Sequence, residues 1–368
     1  MRIAVHAKVL SEDKLTGIGI YTYNLLKSLS KIDRKNEYVL YSNEPFIHKI
    51  GADNFRERIL SFPKFWSYLR LPFEFIDDKY DLLFIPKETV PFLKRPKTVV
   101  VCYDLMGLIF SNRISISGKV HFWMAVKYAL KAADKIIAIS ESTKRDIIEK
   151  CNINPDNIIV TPLGYDEELY KPCNDENLIS KVKEKYGIKS NYIINTSSLL
   201  WYRKNLPRLI RAFYICKSKG VINHKLVITG KRGEAYDEIV SLIKSLNLEK
   251  DVILTGYIST EDMPILLSGA DALAFPSLHE GFGLPILEAM ACGCPVITSN
   301  CSAMPEVAED AGILVNPYNE KDIANAIKQV LTDTEYRNRF RNAGLEQAKR
   351  FSWENTAGET LQVFESLR

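Results

Sequence analysis

The sequence predicts an α/β protein of two doubly wound parallel-sheet domains that face a deep cleft. Three observations predict it. Short β-rich runs alternate with segments whose apolar residues recur at helical spacing, the pattern of βαβ units. The alternation comes in two sets, separated by a polar, proline-punctuated stretch, "PLGYDEELYKPCNDEN", residues 162–177. At 368 residues the chain is also long for a single core, and two domains of about 150–200 residues are the natural division.

In the first set, "RIAVHA" reads as a strand and "GIGIYTYNLLKSLSKI" as a helix. "EYVLYS", "DLLFIP" and "TVVVCYD" are strands, and a helical run follows through "KVHFWMAVKYALKAADK". "KIIAIS" is a strand, "ESTKRDIIEKC" a helix and "NIIVTPLG" the last extended run. The second set repeats the theme with "YIINTSS", "LPRLIRAFYICKSK", "KLVITG", "AYDEIVSLIKSLN", "VILTGYI" and "EDMPILLSGA". It continues as a strand "ADALAFP", a loop "SLHEGFG", a helix "LPILEAMAC" and a strand "PVITS". Pro285 suits the first helical turn, where its missing N–H costs nothing, and Gly293 suits a left-handed residue just past the end. "FSWENTAGETLQVFESLR" is an amphipathic C-terminal helix. The expected division is 1–172 for the first domain and 173–353 for the second, with 354–368 packing back onto the first.

Composition excludes several classes. Hydrophobic content of 46% with 26% charged residues is ordinary for a globular chain. No apolar run reaches the roughly 18–20 residues that span a bilayer. "MRIAVHAKVL" enters a strand directly and carries no signal-peptide cleavage pattern, so a cytoplasmic location is expected. The seven cysteines lack metal-type pairing and read as reduced thiols. The net charge of +4 sits wholly in the first half: residues 1–175 carry 26 Lys+Arg against 22 Asp+Glu, and the remainder 23 against 23. That is too weak for a nucleic-acid partner, which would need a basic stripe. It suits an anionic membrane surface or a phosphorylated acceptor.

The segment "HEGFGLPILEAMACGCPVITSN", residues 279–300, places Glu280 in a loop and Glu288 about a turn into the following helix. In an open parallel sheet, ligands bind beyond the carboxyl ends of the strands, where this loop must lie. Free amides of Phe282, Gly283 and Leu284 would point at an anion such as a phosphate. Two carboxylates there would repel a bare phosphate but accept hydrogen bonds from surrounding hydroxyls. A nucleotide-sugar satisfies both demands. The plainer alternative is that Glu288 complements the helix dipole and Glu280 is solvated.

The run "EGFGLPILEAMACGCPVI" resembles the E-x7-E signature of retaining glycosyltransferases of the GT-B group, family 4, with "MPEVAEDAGILVNP" matching downstream. The resemblance implies two Rossmann-like domains, the first on the acceptor side and the second binding the nucleotide-sugar. It implies that Glu280 contacts hydroxyls of the donor sugar and Glu288 the ribose, with Phe282, Gly283 and Leu284 facing sugar and phosphates. Tyr257 and Ile258 are counted on the donor side as well. "GIGIYTYNLL" looks like the family's glycine loop, in which Gly17 and Gly19 bring backbone close to the donor phosphates; the alternative is a plain strand-to-helix turn. The third glycine of a dinucleotide fingerprint would fall at Thr22, which rejects an NAD site.

"YRKNLPRLI" looks like the family's cationic element, so Arg203 and Lys204 are expected to stabilise the leaving diphosphate. Many relatives carry a further arginine five or six residues before the lysine, where this chain has Ser198 and Leu199; Arg203 is the candidate for that role. "TVVVCYDLMGL" matches a strand that ends in His-Asp-Leu in many relatives, with Tyr103 in the histidine's place and Asp104 after it. These two either face the acceptor or cap the next segment. His121 is a third acceptor-side candidate, with a helix-surface or core histidine as the alternative.

The resemblance implies a hexosyltransferase acting with retention, without a metal or other cofactor. GDP-mannose is the first expected donor and a UDP-sugar the second; the acceptor is a glycan or lipid-linked sugar of cell-surface polysaccharide. "FPKFWSYLRLPFEF", residues 62–75, mixes cations with aromatics and reads either as a membrane-touching segment or as a partly buried helix. Peripheral attachment at the inner face of the cell membrane is therefore the companion expectation. Competing classes are a nucleotide-sugar epimerase or hydrolase on the same fold, and a non-catalytic two-domain sugar-binding protein.

Overall fold

The computed structural model describes residues 1–62, 66–77, 79–91, 95–109, 125–197, 202–233 and 235–368. The chain divides into two compact units: Met1–Gly164 with Ser352–Arg368, and Tyr165–Phe351.

The first unit holds a seven-stranded parallel sheet of β1 (Arg2–His6), β2 (Glu37–Ser42), β3 (Phe55–Ile59), β4 (Leu82–Ile85), β5 (Lys97–Cys102), β6 (Lys135–Ala138) and β7 (Ile158–Val160). Their order is β3-β2-β1-β4-β5-β6-β7. Central strands are apolar on both faces because helices cover both sides of a parallel sheet: all four residues of β4 are buried, and in β5 only Lys97 is exposed. β3, "FRERI", is an edge strand that buries only Phe55, so it lacks the apolar run by which the sequence announces the others. The helix Gly17–Ile32 turns Tyr21, Leu25, Leu26 and Leu29 inward at i, i+4, i+5 and i+8.

The C-terminal helix Trp353–Glu365 belongs to this unit and packs on Gly17–Ile32. Ser352 caps it by accepting from the Asn355 amide at 3.1 Å. Thr356 donates to the Pro162 carbonyl at 2.7 Å, and Phe364 meets Phe84 of β4 edge to face at 5.1 Å. Gly164 is required here, since a Cβ would fall 2.1 Å from the Trp353 nitrogen.

The second unit has a six-stranded parallel sheet of β8 (Tyr192–Thr196), β9 (Lys225–Thr229), β10 (Val252–Gly256), β11 (Ala272–Phe275), β12 (Val296–Ser299) and β13 (Ile313–Val315). The order is β10-β9-β8-β11-β12-β13. β13 is a three-residue edge strand that the sequence pattern did not single out. Ile193, Ile210, Phe213, Leu226 and Ile228 centre the core between this sheet and the helices Leu206–Ser218 and Glu320–Thr332. On the other side, Leu284–Ala291 packs on Thr334–Ala348, where a Cβ at Gly344 would stand 3.2 Å from Met290 Cγ, tighter than ordinary contact. All seven cysteines are free thiols.

Both strand orders reverse direction once. In the first unit the chain winds outward from β1 to β2 and β3, then restarts on the opposite side at β4. In the second it winds from β8 to β9 and β10, then restarts at β11. At such a reversal the connecting segments leave in opposite directions and open a crevice at the carboxyl ends of the two middle strands. Those edges, His6 with Pro86–Glu88 and Thr196 with Pro276–Glu280, are where functional side chains are expected to gather.

Candidate functional site

In the second unit, the loop after β11 runs through Pro276 to Gly283 and enters the helix Leu284–Ala291. Glu280 is only 7% exposed. Its carboxylate accepts from Lys204 Nζ at 2.8 Å and, through its other oxygen, from Arg203 Nη1. Arg203 Nη1 also donates to the His279 carbonyl at 3.3 Å, and the Leu278 amide donates to the Arg203 carbonyl at 2.7 Å. Ser302 grips the Glu280 backbone from both sides, its hydroxyl donating to the carbonyl at 2.7 Å and accepting from the amide at 3.2 Å. Burial alone would raise the Glu280 pKa, but the Lys204 and Arg203 charges outweigh it and hold the carboxyl below its ordinary range.

Arg203 and Lys204 lie in a single 3-10 turn, Tyr202–Lys204, just before the helix Leu206–Ser218. Asn205 makes the junction. Its backbone is left-handed at φ 58°, and its amide donates to the Pro276 carbonyl at 2.9 Å and the Pro317 carbonyl at 2.7 Å. This ties the cationic turn to the glutamate loop. Lys204, 9% exposed, also sits 4.7 Å from the centre of the Phe275 ring. Two cations at a helix start are disfavoured by the helix dipole, and Glu280 is the anion that compensates them.

Gly283 is left-handed at φ 114° and starts the helix without a side-chain cap. The amides of Phe282, Gly283 and Leu284 make no hydrogen bond among the described residues. They are the open donors of a helix N-terminus. Phe282 itself is buried, edge to face with Phe351 at 5.9 Å. Glu288 is the fifth residue of the helix and half-buried, with its carboxyl group enclosed. That burial pushes its pKa up to about 7, against a hydrogen bond from the Tyr170 hydroxyl. Tyr257 and Ile258 follow β10 at the same sheet edge. Gly256, at φ 73°, turns the chain so that the Tyr257 ring is 59% exposed, 5.7 Å from Lys231 Nζ, while Ile258 is buried.

In the first unit, Gly17 and Gly19 are the first and third residues of the helix rather than members of a loop ahead of it, and neither has positive φ. Gly17 is exposed with open space where a Cβ would stand, and Thr16 makes no side-chain cap, so the first-turn amides are uncovered. Tyr103 follows β5. Its hydroxyl donates to the Pro86 carbonyl at 3.0 Å, its ring meets Tyr21 at 5.3 Å, and burial pushes its pKa well up. Asp104 accepts from the Met106 amide at 3.0 Å, capping the turn Met106–Ile109. Of the segment 62–75, Lys64 and Phe65 lie outside the described residues, as do His121, Ser198 and Leu199. Trp66 is buried and stacks on His6 at 4.8 Å, Arg70 pairs with Glu74 at 2.5 Å, and Leu69, Phe73 and Ile76 are exposed.

Sequence reasoning missed several residues. Tyr170 against Glu288, Ser302 around Glu280 and Asn205 at the junction are brought in by tertiary contact alone. His6, Lys87 and Glu88 gather at the first unit's strand reversal, and their places at the end of "RIAVH" and immediately after "DLLFIP" were the available signal.

Comparison with known proteins bears on both units. The family model described as glycosyl transferases group 1 matches residues 179–347, and that of glycosyltransferase family 4 matches residues 15–169. The chain is 32% identical over 298 residues to the serotype-specific mannosyltransferase WbdA of Escherichia coli, which covers 80% of this chain and 36% of WbdA. The chain thus spans about a third of the length of that relative. It is 29% identical over 373 residues to the O-antigen chain mannosyltransferase B of Escherichia coli, covering 96% of this chain and 97% of the relative. Among solved structures, sucrose-phosphate synthase from Thermosynechococcus elongatus superimposes with a TM-score of 0.76 at 20% identity, over 100% of this chain and 98% of that one. Anabaena HepE in complex with UDP and glucose gives 0.75 at 21% identity, over 99% of each chain. The chain belongs to the glycosyltransferases of family 4, with the GT-B fold.

Proposed function

We propose that this chain is a retaining, metal-independent mannosyltransferase, moving mannose from GDP-mannose to a glycan or lipid-linked acceptor in cell-surface polysaccharide synthesis, with a UDP-sugar as the second choice of donor. The observation that carries this reading is the buried Arg203–Glu280–Lys204 triad beside the open amides of Phe282 to Leu284. The relatives named as mannosyltransferases support the sugar, and the one named for the O-antigen chain supports the pathway class.

In this reading, the donor diphosphate docks on the helix amides and draws Arg203 and Lys204 into charge-assisted contact. Glu280 then shares its cations and is free to accept from hydroxyls of the donor sugar, while Glu288, with Tyr170, receives the ribose. Tyr257 and Ile258 border the nucleotide. As the anomeric carbon–oxygen bond breaks, negative charge grows on the departing diphosphate, and the two fixed cations stabilise it more than they stabilise the bound donor. The acceptor oxygen bonds to the same face of the anomeric carbon, and its proton passes to the departing phosphate oxygen, so no enzyme nucleophile is needed. Tyr103 and Asp104 shape the acceptor side through the backbone they hold.

Among the described residues, no helix is long and apolar enough to cross a membrane. We place the enzyme at the inner face of the cell membrane. Peripheral contact would fall on exposed Leu69, Phe73 and Ile76 rather than on the buried Trp66.

The test is release of nucleoside diphosphate and transfer of radiolabelled sugar from GDP-mannose and UDP-glucose by the wild type and by Lys204→Met. Loss of one preorganised charge contact should lower kcat by about 10²–10³ with a smaller change in KM. A variant with intact kcat and only a raised KM would remove the leaving-group role.

A further inference from the structure

The first unit carries a cluster of ionisable side chains at its own strand reversal that the reading above does not use. β1 and β4 pair in parallel with Val5 opposite Phe84. Lys8 opens the 3-10 turn Lys8–Ser11 two residues past the end of β1, and Lys87 lies in the turn two residues past the end of β4, so both stand at the carboxyl ends of neighbouring strands. Both lysines are half-buried. Among the described residues, neither ammonium group has a hydrogen-bond or ion-pair partner. His6 closes the cluster from below, buried, stacked on Trp66 and hydrogen-bonded through Nε2 to Ser67 Oγ at 2.8 Å.

Lys87 faces Lys8, Glu88 and Glu12, and His6 faces both lysines. Glu88 turns its carboxyl away toward β5, accepting from the Tyr103 amide at 3.0 Å and from the Cys102 thiol. Burial pushes Glu88 up to about 7, so it is partly neutral at physiological pH. Burial, then the Lys8 charge, pushes Lys87 down to about 8, which leaves it mostly charged. Burial and the lysines together hold His6 well below its ordinary value and therefore neutral. An enclosed cation beside a like charge, with its nearest carboxyl partly protonated, is a cost to the fold. Such a cost is expected where a group serves a ligand.

We propose that Lys8 and Lys87 form a diphosphate-binding subsite at the β1/β4 reversal, separate from the Arg203–Lys204 pair of the second unit. Two chemically equivalent sources fit it: the diphosphate of a lipid-linked acceptor and that of the nucleotide donor. The assignment to an acceptor rests on the transferase reading; the anion subsite itself does not. The ligand's oxygens would accept charge-assisted hydrogen bonds from both ammonium groups, which have no such partner among the described residues.

The experiment is isothermal titration of the full chain with octyl diphosphate and, separately, with GDP. The proteins are wild type, Lys8→Met, Lys87→Met, Lys87→Arg and the Lys8→Met/Lys87→Met double variant, with Lys204→Met as the second-unit control. Each lost charge should raise the octyl diphosphate Kd about tenfold. Lys87→Arg should keep most of the affinity, and Lys87→Met should keep or raise the Tm because it removes an enclosed charge. Weakening of GDP instead assigns the subsite to the donor and still supports it. Unchanged affinity for both probes in the folded double variant overturns the proposal. If Lys87→Met fails to fold, Lys87 serves the fold rather than a ligand, and Lys8→Met decides: unchanged binding there overturns the subsite. GDP binding that is absent in the wild type, or indifferent to Lys204→Met, overturns the donor-site reading instead and leaves the octyl diphosphate result to stand.

Discussion

Glu288 offers the sharpest physical test, because burial pushes its carboxyl pKa up to about 7 and leaves it partly protonated at neutral pH. Burial raises it from an ordinary 4.5 to about 7, with the Tyr170 hydroxyl opposing the shift. Below pH 4.5, folded and unfolded chains both keep the proton. Between 4.5 and 7 the unfolded chain loses it while the folded chain retains it, so stability falls as pH rises through that window and is flat above it. The span is about 2.5 pH units at 1.36 kcal/mol each, roughly 3 kcal/mol in all. Glu288→Gln keeps the size of the side chain and removes the titration. The variant should match the wild type near pH 4.5 and exceed it by up to about 3 kcal/mol at pH 8. For a unit of this size that corresponds to a Tm gain of about 6–12 °C. The assay is thermal unfolding by circular dichroism at half-unit steps from pH 4.5 to 8.5. Parallel curves for the two proteins across the window would refute the argument. The same linkage makes nucleotide binding pH-dependent if the ionised carboxylate receives the ribose: GDP affinity should rise from pH 6 to 8 in the wild type and stay level in Glu288→Gln.

Three further outcomes follow from named contacts. Glu280→Gln frees Arg203 and Lys204 from their anion, so it should bind GDP at least as tightly as the wild type while transfer falls; weaker GDP binding by calorimetry would contradict the competition between carboxylate and diphosphate. Asn205→Ala loses three side-chain hydrogen bonds, two donated to carbonyls and one accepted from Arg208, and puts a residue with little tolerance for φ 58° at the junction, which should cost about 3 kcal/mol. Asn205→Gly should recover only the backbone share, and a Tm equal to the wild type for Asn205→Ala would show that the tie between turn and loop is dispensable. Gly164→Ala drives a methyl group into the Trp353 backbone and should cost at least about 3 kcal/mol in chemical denaturation; an unchanged midpoint would mean that the C-terminal helix does not depend on this close approach.

The sequence by itself determined the two parallel sheets, and the physical reason is burial. A strand covered on both faces is apolar nearly throughout, so β4 and β11 are visible as unbroken runs and β5 and β8 as runs of three apolar residues or more. The helix Leu284–Ala291 was legible for a similarly local reason, since Pro285 and Gly293 mark its two ends within one short window. β3 was not legible: an edge strand has one solvent-facing side and one unpaired backbone edge, and "FRERI" is charged accordingly. Motif spacing found Glu280, Glu288, Arg203 and Lys204 separately. Only the tertiary structure decided that two of the cations neutralise one of the acids, because that bond joins residues 76 positions apart across neighbouring strand ends. The same holds for the protonation of Glu288, which depends on Tyr170 and on exclusion of water, and for the meeting of Lys8 and Lys87 past the ends of β1 and β4. Side-chain type and local period are written along the chain, whereas the field a charge experiences is a sum over whatever folding places around it.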